Sequence, residues 1–424
     1  MFKLFKQSQV AAPLSTEITI LIACELTYEL GHVRPLATLI RALKARGCAV
    51  ILAVPDTSKE LGLIDSLDVP YVQAPTLNNS HREEQPSTSY ADLLRHSGWS
   101  NVDTLRGLTG AWRELFVLTG ANLVLCHHSP TALLAAKTLS VAAIRIGTGF
   151  ACPPSTFPSQ AIRPWQRFAS SELEAIDIQV CRNANAVLSL YGSDEVGSVG
   201  ELWQEAKDIR MTFKELDHYS RAVVCERYWG ALLVTKISDE VPRDVVMDSY
   251  IFAHLQKNYK HFNKTVSALI NTALSGQPIV LYCPGATSRE VDQWFKQSKS
   301  LLTVKTEVMN VQQVIPNCRF LMGHAGHALT HQALAYGIPV LALPTNVEQH
   351  LLALRIASAG LGLAINPEVD VVDIKKNIEL MLVNSNFSIQ AAKFASSLVP
   401  QIDKIAHMAV EYLLQETRMA YGTR

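Results

Sequence analysis

The chain lacks a surplus of either charge. Lys plus Arg and Asp plus Glu each number 38, so the formal net charge at pH 7 is zero. A general nucleic-acid binder needs an excess of phosphate-neutralising side chains, and this balance argues against that class. No Cys-x-x-Cys pair occurs among the cysteines at 24, 48, 126, 152, 181, 225, 283 and 318. Several of them lie in apolar runs, which reads as reduced, buried thiols and not as a disulfide frame. No apolar run reaches the roughly 18–20 residues of a membrane span. The opening Met-Phe-Lys-Leu-Phe-Lys turns polar too soon for a signal peptide. Short internal repeats and low-complexity tracts are also missing. These absences predict a cytoplasmic protein without a membrane span.

What the chain does have is apolar material in a regular rhythm. It is 424 residues long and 48% hydrophobic, enough for two domains of about 200 residues with sizeable cores. Short apolar, β-branched runs alternate with helical patterns, the signature of βαβ units and parallel sheets. Strands are expected at 18–24, 49–54, 71–73, 123–126 and 142–146, with further candidates at 186–190 and 222–225. Helices are expected over 33–46, 90–97, 103–118 and 130–139. A second series of strands follows at 279–283, 301–304, 319–322, 339–343 and 361–365. The fold class is therefore α/β, with two Rossmann-like halves facing across a cleft. The domains read as 1–232, a connection at 233–262 where the rhythm is lost, 263–400, and a C-terminal helix at 401–424 that packs back on the first domain. Ligands of open α/β sheets bind beyond the carboxyl ends of the strands.

Several residues at those strand ends carry polar chemistry. Met322-Gly-His-Ala-Gly-His327 passes from a strand through a turn into a helix. Such a turn aims unpaired N–H groups and a positive helix end at one spot, suited to a phosphate. Gly285, Thr287 and Ser288 follow another strand of the same half and can donate to a phosphate in the same way. Gln332 sits one turn into the helix after His324, where it can reach ribose hydroxyls. Glu348 and Gln349 open the next helix and can face a sugar. In the first half His32 follows the first strand, where a neutral imidazole can take a proton from a hydroxyl. A base of this kind needs an orienting acceptor; His127, His128, Glu25 and Glu29 are the candidates. Phe150, Phe157 and Trp165 can line an apolar acceptor pocket beside loops 76–89 and 147–165. His324, His327 and His331 have the spacing of one helix face. No carboxylate or cysteine joins them at ligand spacing, and His324 precedes the helix, so no metal site is expected.

At these residues the chain resembles the nucleotide-sugar glycosyltransferases of the UDP-glycosyltransferase type, whose two-domain fold is called GT-B. Gly31-His-Val-Arg-Pro35 is similar to that family's opening turn, Ile279–Ser288 to its phosphate-facing strand and loop, and Val314-Ile-Pro316 through Gln349 to its donor signature. The resemblance implies a hexose transfer from a UDP- or dTDP-sugar to a hydroxyl of a small-molecule or lipid-like acceptor, with inversion and with no cofactor or metal. It implies His32 as the base and places the family's orienting carboxylate near His127. It implies a pyrophosphate held by His324, Gly326 and the following turn, aided by Gly285, Thr287 and Ser288. Gln332 takes the ribose place, Glu348 and Gln349 the donor-sugar place. The chain differs from the family in having Gln332 where Glu is usual, and Ala325, Ala328 and Leu329 where a Gly-rich, Gly-Thr turn is usual. Two other classes stay open: a sugar-nucleotide epimerase that attacks the donor with water, and a binding scaffold without catalysis.

Overall fold

The computed structural model describes residues 18–26, 33–58, 61–77, 86–219, 221, 227–232, 250–307, 309–366, 373–398 and 404–421. Two six-stranded sheets dominate it. The first contains β1 (Thr19–Cys24), β2 (Ala49–Val54), β3 (Tyr71–Gln73), β4 (Leu123–His127), β5 (Ala142–Gly147) and β6 (Lys207–Arg210). Its order is β3-β2-β1-β4-β5-β6, with every pairing parallel. The second contains β7 (Tyr250–His254), β8 (Ile279–Tyr282), β9 (Leu302–Lys305), β10 (Cys318–Gly323), β11 (Val340–Ala342) and β12 (Gly362–Ala364). Its order, β12-β11-β10-β7-β8-β9, repeats the first with the same chain sense. Each sheet therefore has one switch point, between β1 and β4 and between β7 and β10, where a crevice opens at the strand ends.

The sequence explains why these are internal strands. Parallel strands covered on both faces need near-continuous apolar runs. In β1, Ile20 to Cys24 are all fully buried, as are Leu123, Val124 and Leu125 in β4. Helices Val33–Ala45 and Val102–Thr119 close these crossovers. The second of these helices starts on Asn101, whose side chain accepts from the Thr104 amide, and stops at Gly120 with φ 61°. Each sheet has an apolar cluster on both faces. The last helix, Ile405–Tyr421, inserts Ile405, Ala409, Val410, Leu413 and Leu414 into the core of the first half, against the helix Val33–Ala45. The chain thus crosses between the halves twice.

Three expectations need correction. Residues 186–190 are not a strand but the last turns of the helix Ser170–Leu190. A short apolar run is ambiguous between the two states, and the preceding sixteen residues continue the helix. The edge strand β6, Lys-Asp-Ile-Arg, was not expected because charge masks its four residues. The connection expected at 233–262 includes residues 250–254, yet these form β7 in the middle of the second sheet. The strand is only five residues long, and the polar Gln256-Lys-Asn-Tyr-Lys-His261 that follows hides its rhythm. The candidate strand 222–225 lies outside the described residues. All seven described cysteines are buried, and none of them forms a disulfide.

Candidate active site

The crevice of the second half is built around His324, the first residue beyond β10. Its Nδ1–H donates to the Leu343 carbonyl at 2.8 Å, and its Nε2 accepts the Gln256 amide at 3.0 Å. One neutral imidazole therefore ties together the ends of β7, β10 and β11. Burial pushes its pKa below the ordinary histidine value, against the pull of the Leu343 carbonyl. Both ring nitrogens are committed to the scaffold, so donation to an anion at this turn falls to the backbone. Ala325 adopts φ 56°, a conformation that favours glycine. Gly326 then serves as N-cap of the helix His327–Ala335, which has no side-chain cap and no acidic residue in its first turn. An uncapped helix start leaves donors and a positive dipole end for a ligand.

The turn after β8 is built differently. Thr287 caps the helix Ser288–Gln297 by accepting the Glu290 amide, and the Glu290 carboxylate accepts the Thr287 amide and hydroxyl, both at 2.8 Å. Lys257 closes this capping box with 2.8 Å contacts to both carboxylate oxygens. Hydrogen bonds from Lys257 and Thr287 hold the Glu290 carboxyl at about 2. Gly285, with φ 82°, and Ser288 flank the box and are exposed. Thr287 is thus engaged with a carboxylate of its own helix. Beyond β9 lies a cavity of about 390 Å³ lined by Lys305, Thr306, Glu307, Met309, Gln313 and Val314.

Gln332 is buried on the helix His327–Ala335. Glu348 and Gln349 open the helix Val347–Ser358, which is capped by Asn346. The Gln349 carbonyl oxygen braces the preceding loop, accepting the amide and hydroxyl of Thr345 at 2.8 Å each. Glu348 instead reaches the first half, where its Oε1 accepts the Thr148 hydroxyl at 2.9 Å. His218 Nε2 lies 3.9 Å from the same oxygen. Nearby, the Thr212 hydroxyl donates to His331 Nε2 at 3.0 Å, while His331 Nδ1–H donates to the His327 carbonyl. Phe213 stacks on the His331 ring and meets Phe394 edge-on. Burial drives the His331 pKa down to about 3. The loops after β5 and β6 thus meet the helices after β10 and β11 in one seam.

His32, Glu29 and the loop residues 78–85 lie outside the described residues. His127 ends β4 with Nδ1–H donating to the Ile146 carbonyl at 3.0 Å, and a side chain at Gly147 would crowd its ring. Phe150 is buried among Tyr90, His128, His218 and Tyr219. Trp165 crosses the seam to His350, with ring centroids 5.1 Å apart. Phe157 lines a separate groove along the helix Ser170–Leu190 with Ile178, Arg182 and Val196. Glu25 is buried and accepts from the Thr131 amide, the Thr131 hydroxyl and Ser129, bracing the start of the helix Pro130–Leu139. Burial raises its carboxyl to about 7, despite those hydrogen bonds. Among the described residues no group of three His, Cys, Asp or Glu side chains is arranged to hold a metal ion. The His327 and His331 rings instead lie 3.8 Å apart, centroid to centroid. No described helix is long and apolar enough to cross a membrane.

Sequence reasoning missed Thr148, Thr212 and His218. The only local signal was Asp217-His218 beyond β6, and that strand itself went unseen.

No protein-family model and no curated protein sequence matches the chain. Solved structures do. The glycotransferase of kitacinnamycin superposes with a TM-score of 0.68 at 14% identity, over 95% of this chain and 100% of the other. CalG4, the calicheamicin glycosyltransferase, gives 0.68 at 18% identity, over 95% and 98%. SsfS6, a glycosyltransferase of Streptomyces sp. SF2575 solved with thymidine diphosphate, gives 0.58 at 17%, over 93% and 100%. Over 93–95% of its length the chain shares the two-domain GT-B fold of these glycosyltransferases.

Proposed function

We propose that the protein is a glycosyltransferase that moves a hexose from a UDP- or dTDP-sugar to a hydroxyl of a small-molecule or lipid-like acceptor. The observation that carries this reading is the uncapped helix start at Gly326, set at a strand end beside the switch point, with Gln332 one turn further and Glu348 at the next helix. These parts suit a pyrophosphate at Gly326, with the ribose on one side of it at Gln332 and the sugar on the other at Glu348. The cavity beyond β9 suits the base. The shared fold adds support, since SsfS6 was solved with thymidine diphosphate.

In this reading the acceptor hydroxyl attacks the anomeric carbon as the bond from that carbon to the pyrophosphate oxygen breaks. The nucleotide diphosphate leaves with the electron pair, the hydroxyl proton passes to His32, and the anomeric centre inverts. Backbone N–H groups and the dipole of the helix His327–Ala335 stabilise the leaving charge. Phosphate contact at Thr287 requires displacing Glu290, so the pyrophosphate is assigned first to the turn at Ala325 and Gly326. Closure of the seam excludes water.

Calorimetry with UDP and dTDP tests the donor site. Micromolar binding of either supports it, and absence of binding by both turns the reading toward a scaffold. Release of UDP or dTDP from the sugar nucleotide that depends on added acceptor marks a transferase. Release without acceptor marks the epimerase-type attack by water.

A further inference from the structure

His218 is buried at the seam, its side chain has no exposure, and neither of its ring nitrogens makes a hydrogen bond. An unsatisfied imidazole in a dry site costs stability, and packing alone would be served better by an apolar ring. The residue is nonetheless held in place. Phe150 packs against it with ring centroids 6.0 Å apart. Its neighbour Asp217 is fixed by Arg221 and by the Tyr228 hydroxyl at 2.7 Å. The polar group it faces is Glu348, whose Oε1 is 3.9 Å from His218 Nε2 and accepts the Thr148 hydroxyl at 2.9 Å. That separation is too long for a hydrogen bond. A single hydroxyl oxygen at ~2.8 Å from both atoms would span it with an angle of about 90° at the oxygen.

Resting on the donor reading above, we infer that His218 and Glu348 form one hydroxyl-reading pair for the transferred hexose. The sugar hydroxyl donates to the Glu348 carboxylate and accepts from the imidazole, replacing the Thr148 hydroxyl on Glu348. Glu348 comes from the second half and His218 from the loop after β6 in the first. The first half therefore takes part in choosing the donor sugar, and the pair is complete only when the halves are closed. His218 is a binding and specificity residue here; the acceptor proton still goes to His32.

The test uses the full chain, His218→Phe, which keeps the packing against Phe150, and His218→Gln, which keeps a donor. Calorimetry is run with UDP and dTDP and with UDP-glucose, UDP-galactose, UDP-N-acetylglucosamine and dTDP-glucose. The expected result for His218→Phe is nucleotide affinity within twofold of wild type, with sugar-nucleotide affinity lowered at least tenfold. His218→Gln recovers part of that loss, and the melting temperature of ligand-free His218→Phe is no lower than wild type. Sugar-nucleotide affinity unchanged in His218→Phe overturns the inference and leaves the donor site standing. Equal weakening toward nucleotides and sugar nucleotides overturns it as well, since that marks a general seam defect. Wild-type protein that binds nucleotides but none of the sugar nucleotides also overturns it. Wild-type protein that binds neither removes the donor reading together with the inference.

Discussion

The two helix starts of the second half, after β8 and after β10, offer the same physics and use it in opposite ways. At Thr287 two helix-start N–H groups are engaged within the chain, the Thr287 amide by the Glu290 carboxylate, itself paired with Lys257, and the Glu290 amide by the Thr287 hydroxyl. At Gly326 no side chain caps the helix and no acidic residue sits in the first turn. A closed start contributes to folding; an open start forgoes that contribution and leaves room for an anion from outside. The scaffold around the open start is correspondingly firm, because His324 locks three strand ends behind it. The difference separates two turns that look alike as strand-to-helix loops rich in small residues.

Removing the lock has the largest expected effect. His324→Ala leaves the Gln256 amide and the Leu343 carbonyl without their partner, each at a cost of about 1–3 kcal/mol when buried. Urea denaturation should show a loss of about 3 kcal/mol, and nucleotide binding should fall with it. A variant of wild-type stability would show that the imidazole is not a strut.

Gly326→Asp is sharper because it drives stability and binding apart. A Cβ at Gly326 meets nothing within 4 Å, and its φ of −63° suits any residue. An aspartate there would cap the helix and, with the helix dipole, gain about 0.5–1 kcal/mol, as Thr287 and Glu290 together do for theirs. The same carboxylate repels a pyrophosphate, so UDP and dTDP affinity should fall at least tenfold, about 1.4 kcal/mol. Unchanged nucleotide affinity in a stabilised variant would move the anion site away from this turn.

Thr287→Ala is the mirror experiment. Loss of the cap should lower stability by about 1 kcal/mol while leaving UDP and dTDP affinity within twofold. A tenfold loss of affinity would return Thr287 to the donor site and erase the contrast between the two turns.

Much of the frame was legible in the sequence, because buried parallel strands write themselves as apolar runs. Ala49–Val54 and Tyr71–Gln73 match the expected bounds, and the helix Pro130–Leu139 does so too. Strands of four or five residues bordered by charge, β6 and β7, were not legible, since too few residues carry the period. The capping box was present as Thr287-x-x-Glu290, a pattern with a known local meaning, but the small residues before it suggested a phosphate loop. The seam was least legible of all. Thr148 and Glu348 stand 200 positions apart and Thr212 and His331 119 apart. No local pattern links such pairs; only the docking of the two halves brings them together. For the same reason His218 gave no signal beyond its polarity.

Ala325→Gly carries the smallest expected effect and tests the open turn most gently. Ala325 is buried with φ 56°, in the turn the resemblance reads as Gly-rich. Left-handed backbone costs a residue with a Cβ about 1–2 kcal/mol, and glycine avoids it. The glycine also gives the unfolded chain more freedom, which offsets about 0.4–1 kcal/mol of the gain. Ala325 also packs in the apolar cluster of the second half, and loss of its methyl costs about 0.8 kcal/mol, so the net change in urea denaturation should lie within about 0.5 kcal/mol of zero. Relief of the strained turn should leave nucleotide affinity unchanged or raise it severalfold, because the strain sits one residue before the open helix start. A fall in affinity would mean that the alanine conformation is what aims the amides, and that the strain at this turn serves binding directly.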